Sequence, residues 1–296
     1  MDRDVRLKGY AITVAGVLLF TPDALLIRLA GVEPFTYTAM RGLLVALVVA
    51  VTLRLRSGHG PWPLIRRMGR PGLWAALLNS LGGICFIFAF ANTSVANVLV
   101  YVAAQPVLAS ILAWLAIREP VKRSTVLAMV GTLLGIGIVV NHSLGTPSLL
   151  GDGAALLAAL LWSGWFVVLR RHKGIDLVPS LIASGLTTSI LSLLLLLAIG
   201  LGWSGFAAMD WAALGYTLLN CIFLIPFALA LTTIGTRYLP TADVTLLTLI
   251  EMVLGPLWVW AVLGEVPPAA TLIGGLIILL SVAGHALFSL RRPSAR

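Results

Sequence analysis

Lys and Arg alternate along this chain, link by link, between several and none, and long apolar runs separate the links. Arg3, Arg6 and Lys8 precede the first run, and the next link, around Gly31–Pro34, has none, although Arg28 lies just inside the run before it. Arg54, Arg56, Arg66, Arg67 and Arg70 follow, then none across Asn92–Ser94. Arg118, Lys122 and Arg123 come next, then none across His142–Leu150; Arg170, Arg171 and Lys173, then none across Gly200–Asp210. Arg237 stands in the next link, none near Gly264–Pro268, and Arg291, Arg292 and Arg296 finish the chain. Only Arg28 and Arg41 fall outside the charged links. Cytoplasmic loops retain Lys and Arg, so the alternation predicts ten spans with both termini inside.

The composition leaves room for little else. Of 296 residues, 59% are hydrophobic and 10% charged, where a soluble domain carries about a quarter charged. Ten helices of ~20 residues, each crossing ~30 Å of hydrocarbon, consume ~200 residues. No soluble catalytic or nucleotide-binding domain fits in the rest. The net charge of +9 follows from the basic links and calls for lipid headgroups, not nucleic acid, as its partner. The first run carries Pro22 and Asp23 and is too long for a signal core, so it reads as a retained helix. Cys85 and Cys221 sit in separate runs and read as free apolar fillers. The runs do not alternate as barrel strands do. The expected spans are 10–29, 34–53, 72–91, 95–117, 124–141, 151–171, 178–200, 211–231, 241–263 and 268–289.

The chain repeats itself once. Leu77-Leu78-Asn79 recurs as Leu218-Leu219-Asn220, Ala96–Glu119 aligns with Ala242–Glu265, and Gly9–Arg28 aligns with Gly151–Arg170. In that register Gln105 falls opposite Glu251. The seam lies near 142–150, giving halves 1–145 and 146–296 of five spans each. An odd count inserts the second half the other way up. The fold class is therefore an all-α membrane protein of ten transmembrane helices in two inverted five-helix repeats, and such repeats place a binding site at their interface near the midplane.

These residues resemble the EamA-type carriers of the drug/metabolite transporter superfamily over nearly the whole chain. The stretch Gly151-Asp152-Gly153-Ala154-Ala155-Leu156-Leu157-Ala158-Ala159-Leu160-Leu161-Trp162 looks like that family's opening of its second repeat. Leu263-Gly264-Glu265 is similar to its ninth-helix ending, with Arg118-Glu119-Pro120 as the weaker first-half counterpart; Pro106 and Arg41 also match. Pro22-Asp23 and Met252 depart from the pattern. The resemblance implies a central cavity and export of small metabolites by alternating access across the cytoplasmic membrane, and the YddG-like amino-acid exporters are the comparison drawn within the family.

Polar groups in a bilayer are costly and face the protein interior or a wet cavity. Asn97, Tyr101 and Gln105 are spaced by four on one face of the fourth span; Thr241, Thr245 and Thr248 lead to Glu251 in the ninth; Asn79 and Asn220 come from the third and eighth. Trp162, too deep for an interfacial belt, shares a face with Trp165, as Phe86 does with Phe90. Asn79, Tyr101, Gln105, Trp162, Asn220 and Thr248 are thus the candidate substrate-binding residues, with interhelical hydrogen bonding as the plainer role. Glu251, the acid nearest mid-membrane, is the candidate coupling residue, with helix tying as its alternative. Asp23 and Arg41 lie at matched depth, ~10 Å from one end of neighbouring spans, and read as a salt bridge or gate. Gly131 and Gly135 form a Gly-x-x-x-Gly that reads as packing within the protomer.

No metal spacing, cofactor motif or nucleotide loop occurs, and His59, His142, His172 and His285 make no helical pair with a carboxylate. The expected activity is secondary export of a small metabolite, amino acids foremost, rather than catalysis, by a monomer or weak homodimer. A passive channel or a lipid flippase is the alternative.

Overall fold

The structure, a computed structural model, describes residues 3–58, 60–93, 98, 101–141, 148–202, 204–264 and 269–291. Asn97, the Phe90 side chain, Glu265, His59, His142, most of the seam and the last five residues lie outside that set.

Among the described residues every regular element is helical: α1 (Arg3–Phe20), α2 (Asp23–Ala30), α3 (Pro34–Ser57), α4 (Pro61–Asn92), α5 (Gln105–Ile117), α6 (Arg123–Asn141), α7 (Leu149–Arg171), α8 (Ser180–Ala198), the short α9 (Ser204–Ala207), α10 (Trp211–Leu218), a π-helical turn (Leu219–Leu224), α11 (Ile225–Gly235), α12 (Thr241–Leu263) and α13 (Ala269–Arg291). Among the described residues, eight helical rods are long and apolar enough to cross a bilayer, counting α1–α2 and α10–α11 as one rod each. The other two expected spans are described over shorter apolar stretches, Gln105–Ile117 and Arg123–Ile138. Outward leucines such as Leu47, Leu134, Leu194 and Leu280 are more than half exposed. In water such a surface would aggregate; in lipid it is the expected belt.

Three breaks in these rods have local causes. Pro22 has no N–H to continue α1, and the chain turns at Thr21, whose hydroxyl donates to the Leu18 carbonyl at 2.8 Å. Asp23 then becomes the first residue of α2, where the exposed N–H groups favour a negative charge. In α4, Gly69 adopts φ 55° two residues before Pro71, so an initial segment bends away from the main rod. Before Pro226 the helix widens into the π turn, which relieves the clash of the proline ring with the preceding turn.

Packing is set by small residues. A Cβ on Gly42 of α3 would lie 2.5 Å from the Gly185 carbonyl oxygen of α8, so these two backbones touch. Gly135 meets the Gly274 oxygen of α13 at 2.6 Å on the same measure. The Gly-x-x-x-Gly of α6 therefore closes a contact inside the protomer. The principal neighbours are α4 with α7 and α8, α3 with α8, α6 with α13, α1 with α11 and α12, and α5 with α7 and α12. Both cysteines are free.

Candidate functional site

The first group of polar residues forms at the α1–α2 break. Arg41 Nη1 donates to Asp23 Oδ2 at 2.8 Å, so the matched depth read from the sequence corresponds to an ion pair. Asn220 Nδ2 donates to Asp23 Oδ1 at 2.5 Å and to the Tyr37 hydroxyl at 2.6 Å. Asn220 is fully buried, on the π turn that brings it inward. The turn thus knots α2, α3 and the α10–α11 rod together, and Asn220 contacts the Asp23–Arg41 pair and not Asn79. From α12, Trp258 Nε1 donates to the Thr21 hydroxyl at 2.9 Å. Glu251, two turns earlier on α12, interacts electrostatically with both Asp23 and Arg41. It makes no hydrogen bond or ion pair with a described residue, and the residue is partly accessible. Thr248, beside it, spends its hydroxyl on the Thr245 carbonyl at 2.8 Å.

A second group lines α4, α5 and α7. Trp162 packs on Phe86 with ring centroids 5.1 Å apart, and its indole lies over Gly82, where a Cβ would come within 2.7 Å. Only a residue without a side chain admits that ring. Phe86 and Tyr101 both pack on Ala89, Val98 and Ala155. Gln105 is 5% exposed; its carbonyl accepts from Ser163 Oγ at 3.2 Å, while its side-chain amide has no described partner. Asn79 is already engaged across α8, donating to Ser184 Oγ at 2.9 Å. Trp165, by contrast, is buried against Phe166.

Two networks were not read from the sequence. At the Arg-rich end, Arg170 Nε donates to Glu119 Oε1 at 2.9 Å and Nη1 to the Thr236 carbonyl at 3.2 Å. Glu119 Oε2 in turn accepts from the Thr241 N–H and hydroxyl, capping α12. Nearer the same end, Asp243 pairs with His285. That pair escaped because its partners sit on different helices. The depth argument that linked Asp23 with Arg41 would have found it: both lie close to the Arg-rich ends of consecutive spans. Among the described residues no cluster of metal-ligating side chains occurs.

Bundled apolar helices with a lipid-facing leucine surface and buried polar knots define a multi-pass α-helical membrane protein. The chain belongs to the EamA-like transporter family, whose model matches it twice, over residues 7–141 and 149–286. No curated protein matches. Twenty-eight chains of solved structures are similar. One of these, described as "Crystal structure of protein", shares 19% identity and a TM-score of 0.79, covering 97% of this chain and 100% of that one. At that identity the likeness is one of fold.

Proposed function

We propose that this transporter is a secondary carrier that exports amino acids across the cytoplasmic membrane, alternating between two inverted five-helix halves with both termini inside. The observation that carries the reading is the juxtaposition of a basic and an acidic group at the α1–α2 break: Arg41, paired with Asp23, and Glu251, which has no hydrogen bond or ion pair with a described residue but lies within electrostatic reach of both. An amino acid brings a carboxylate and an ammonium group separated by one carbon. The guanidinium receives the first and Glu251 the second, while Phe86, Tyr101 and Trp162 offer aromatic surface to a side chain. Gln105 and Asn79 line the same side in this reading, and Asn220 holds the charged pair in place.

The helix contacts support two repeats. Exchanging each span for its counterpart five places along sends α1–α11 onto α4–α7 and α1–α12 onto α5–α7, and leaves α3–α8, α5–α12 and α6–α13 unchanged. Repeat-related contacts of this kind suit rocking of one half against the other. Asp23 and Arg41 act as the outer gate, because substrate that engages Arg41 competes with Asp23.

The test is counterflow in proteoliposomes with a radiolabelled panel of amino acids, the matching decarboxylated amines and the matching carboxylic acids. Saturable exchange restricted to compounds with both groups is expected. Single cysteines at Tyr101, Gln105 and Trp162, in a background without Cys85 and Cys221, should react with a water-soluble thiol reagent and be protected by that substrate. Linear, unsaturable flux would indicate a channel, and lipid scrambling without solute exchange a flippase; Leu194→Cys reacting as fast as the three would remove the cavity assignment.

A further inference from the structure

Tyr10 of α1, Asp243 of α12 and His285 of α13 meet away from the Glu251 site. The Tyr10 hydroxyl donates to Asp243 Oδ2 at 2.9 Å, and His285 Nε2 lies 2.9 Å from Asp243 Oδ1. The three are 5%, 2% and 5% exposed. His285 Nδ1 is buried and has no partner among the described residues. Evolution of a lipid-embedded helix bundle does not require an acid and an imidazole at one helix junction; apolar residues of the same size would pack there without the cost of burying a charge. Imidazole is the side chain whose charge ordinarily changes near neutral pH. A cavity of about 20 Å³, room for roughly one water, reaches Asp243 from the Arg-rich end between Glu119, Lys122, Thr125 and Pro240.

The charged surroundings are few. On α1, Arg6 donates to the Ser289 carbonyl at 3.0 Å and Lys8 lies over the Tyr238 ring. Glu119 is committed to Arg170, and Lys122 lines the cavity. Arg123 opens α6, which packs along α13, and α11 contributes no titratable side chain.

We propose that Tyr10, Asp243 and His285 form a second proton-binding site, which fastens α12 to α13 and α1 when occupied and loosens them when empty. One proton arrives from water at the Arg-rich end and is held by the pair: imidazole becomes imidazolium, Asp243 stays a carboxylate, and the Nε2–Oδ1 hydrogen bond becomes an ion pair. Loss of the proton to water leaves a buried carboxylate hydrogen-bonded only by neutral donors, a weaker clasp in a site of low polarity. Asp243 and Glu251 stand eight residues apart on α12, about 12 Å along its axis, so one helix carries both acids. The consequence for transport rests on the carrier reading above; the proton site does not.

The direct test is ¹⁵N-histidine NMR of the full-length protein in nanodiscs, with His285 assigned by its loss in His285→Gln. The expected result is one reversible titration of the His285 ring between pH 5 and pH 9 that is displaced by at least one pH unit in Asp243→Asn and persists in Glu251→Gln. A ring that keeps one charge state across this range overturns the proposal, as does a titration indifferent to Asp243→Asn. With transport as readout, the pH dependence of substrate exchange should be severalfold weaker in His285→Gln and in Asp243→Asn than in wild type. Should those variants not fold, the NMR titration of the native sequence decides. If exchange is absent in every variant but the ring titrates as stated, the carrier reading fails and the proton site stands.

Discussion

Removing the Asp23 carboxylate should cost the protein about as much as any single change in the bundle. In Asp23→Ala, Arg41 loses its ion pair at 2.8 Å, and Asn220 loses one of two hydrogen bonds. The side chains of Arg41 and Asp23 are 27% and 12% exposed, so the lower end of the range for a broken buried pair applies, about 3 kcal/mol. The lost Asn220 bond adds about 1 kcal/mol, for a total near 4 kcal/mol. Arg41→Ala strands Asp23 instead, but Asn220 still donates to it, and about 2 to 3 kcal/mol is expected. The double variant removes both charges, so it should be more stable than the sum of the singles predicts, by about 2 kcal/mol. The assay is reversible unfolding in mixed SDS and mild detergent, with the cycle repeated on Asp23→Asn, which keeps the shape. Additivity of Asp23→Ala and Arg41→Ala within about 0.5 kcal/mol would refute the argument that these groups stabilise each other.

Reporter fusions after Asn92, Leu144 and Ser204 should report outside, and those after His59, Lys173 and Arg296 inside; one reversed internal link breaks the ten-span topology. Gly135→Val should destabilise by about 1 to 3 kcal/mol, since its Cβ would lie 2.6 Å from the Gly274 oxygen, a backbone atom that cannot turn aside; unchanged SDS unfolding would show the α6–α13 contact to be looser than described. Glu119→Gln should weaken the Arg170 clasp and speed thiol labelling of a cysteine at Thr241, measured against the same cysteine in the parent.

The bilayer makes part of this fold easy to read. Charge retention on one side and the length needed to cross hydrocarbon leave marks at every link, so the helical runs, the free cysteines and the inward packing of Gly135 follow from residue type and spacing. The Asp23–Arg41 pair followed from counting depth on two adjacent spans. Rotation about each helix axis leaves no such mark. Asn220 sits 197 residues from Asp23, and only the π turn, forced by Pro226, turns it toward that carboxylate. Matched depth near the Arg-rich end nominates Asp243 and His285 as partners, yet their facing one another depends on how α12 and α13 are rotated, which a helix apolar on all sides does not specify. The same holds for Trp162 over Gly82, where the absence of a side chain is the whole signal.

In the proposed carrier, a proton gradient drives solute through a site containing Glu251. The direct measurement is accumulation of the transported amino acid in proteoliposomes under an imposed proton gradient, wild type against Glu251→Gln. One proton exchanged per solute sets a limit of about tenfold accumulation per pH unit. Wild type is expected to approach this limit, and Glu251→Gln, whose amide oxygen still accepts from the ammonium, to exchange solute across the membrane with a raised KM but without accumulating it. A wild-type flux indifferent to the proton gradient, or full accumulation by Glu251→Gln, would contradict this coupling.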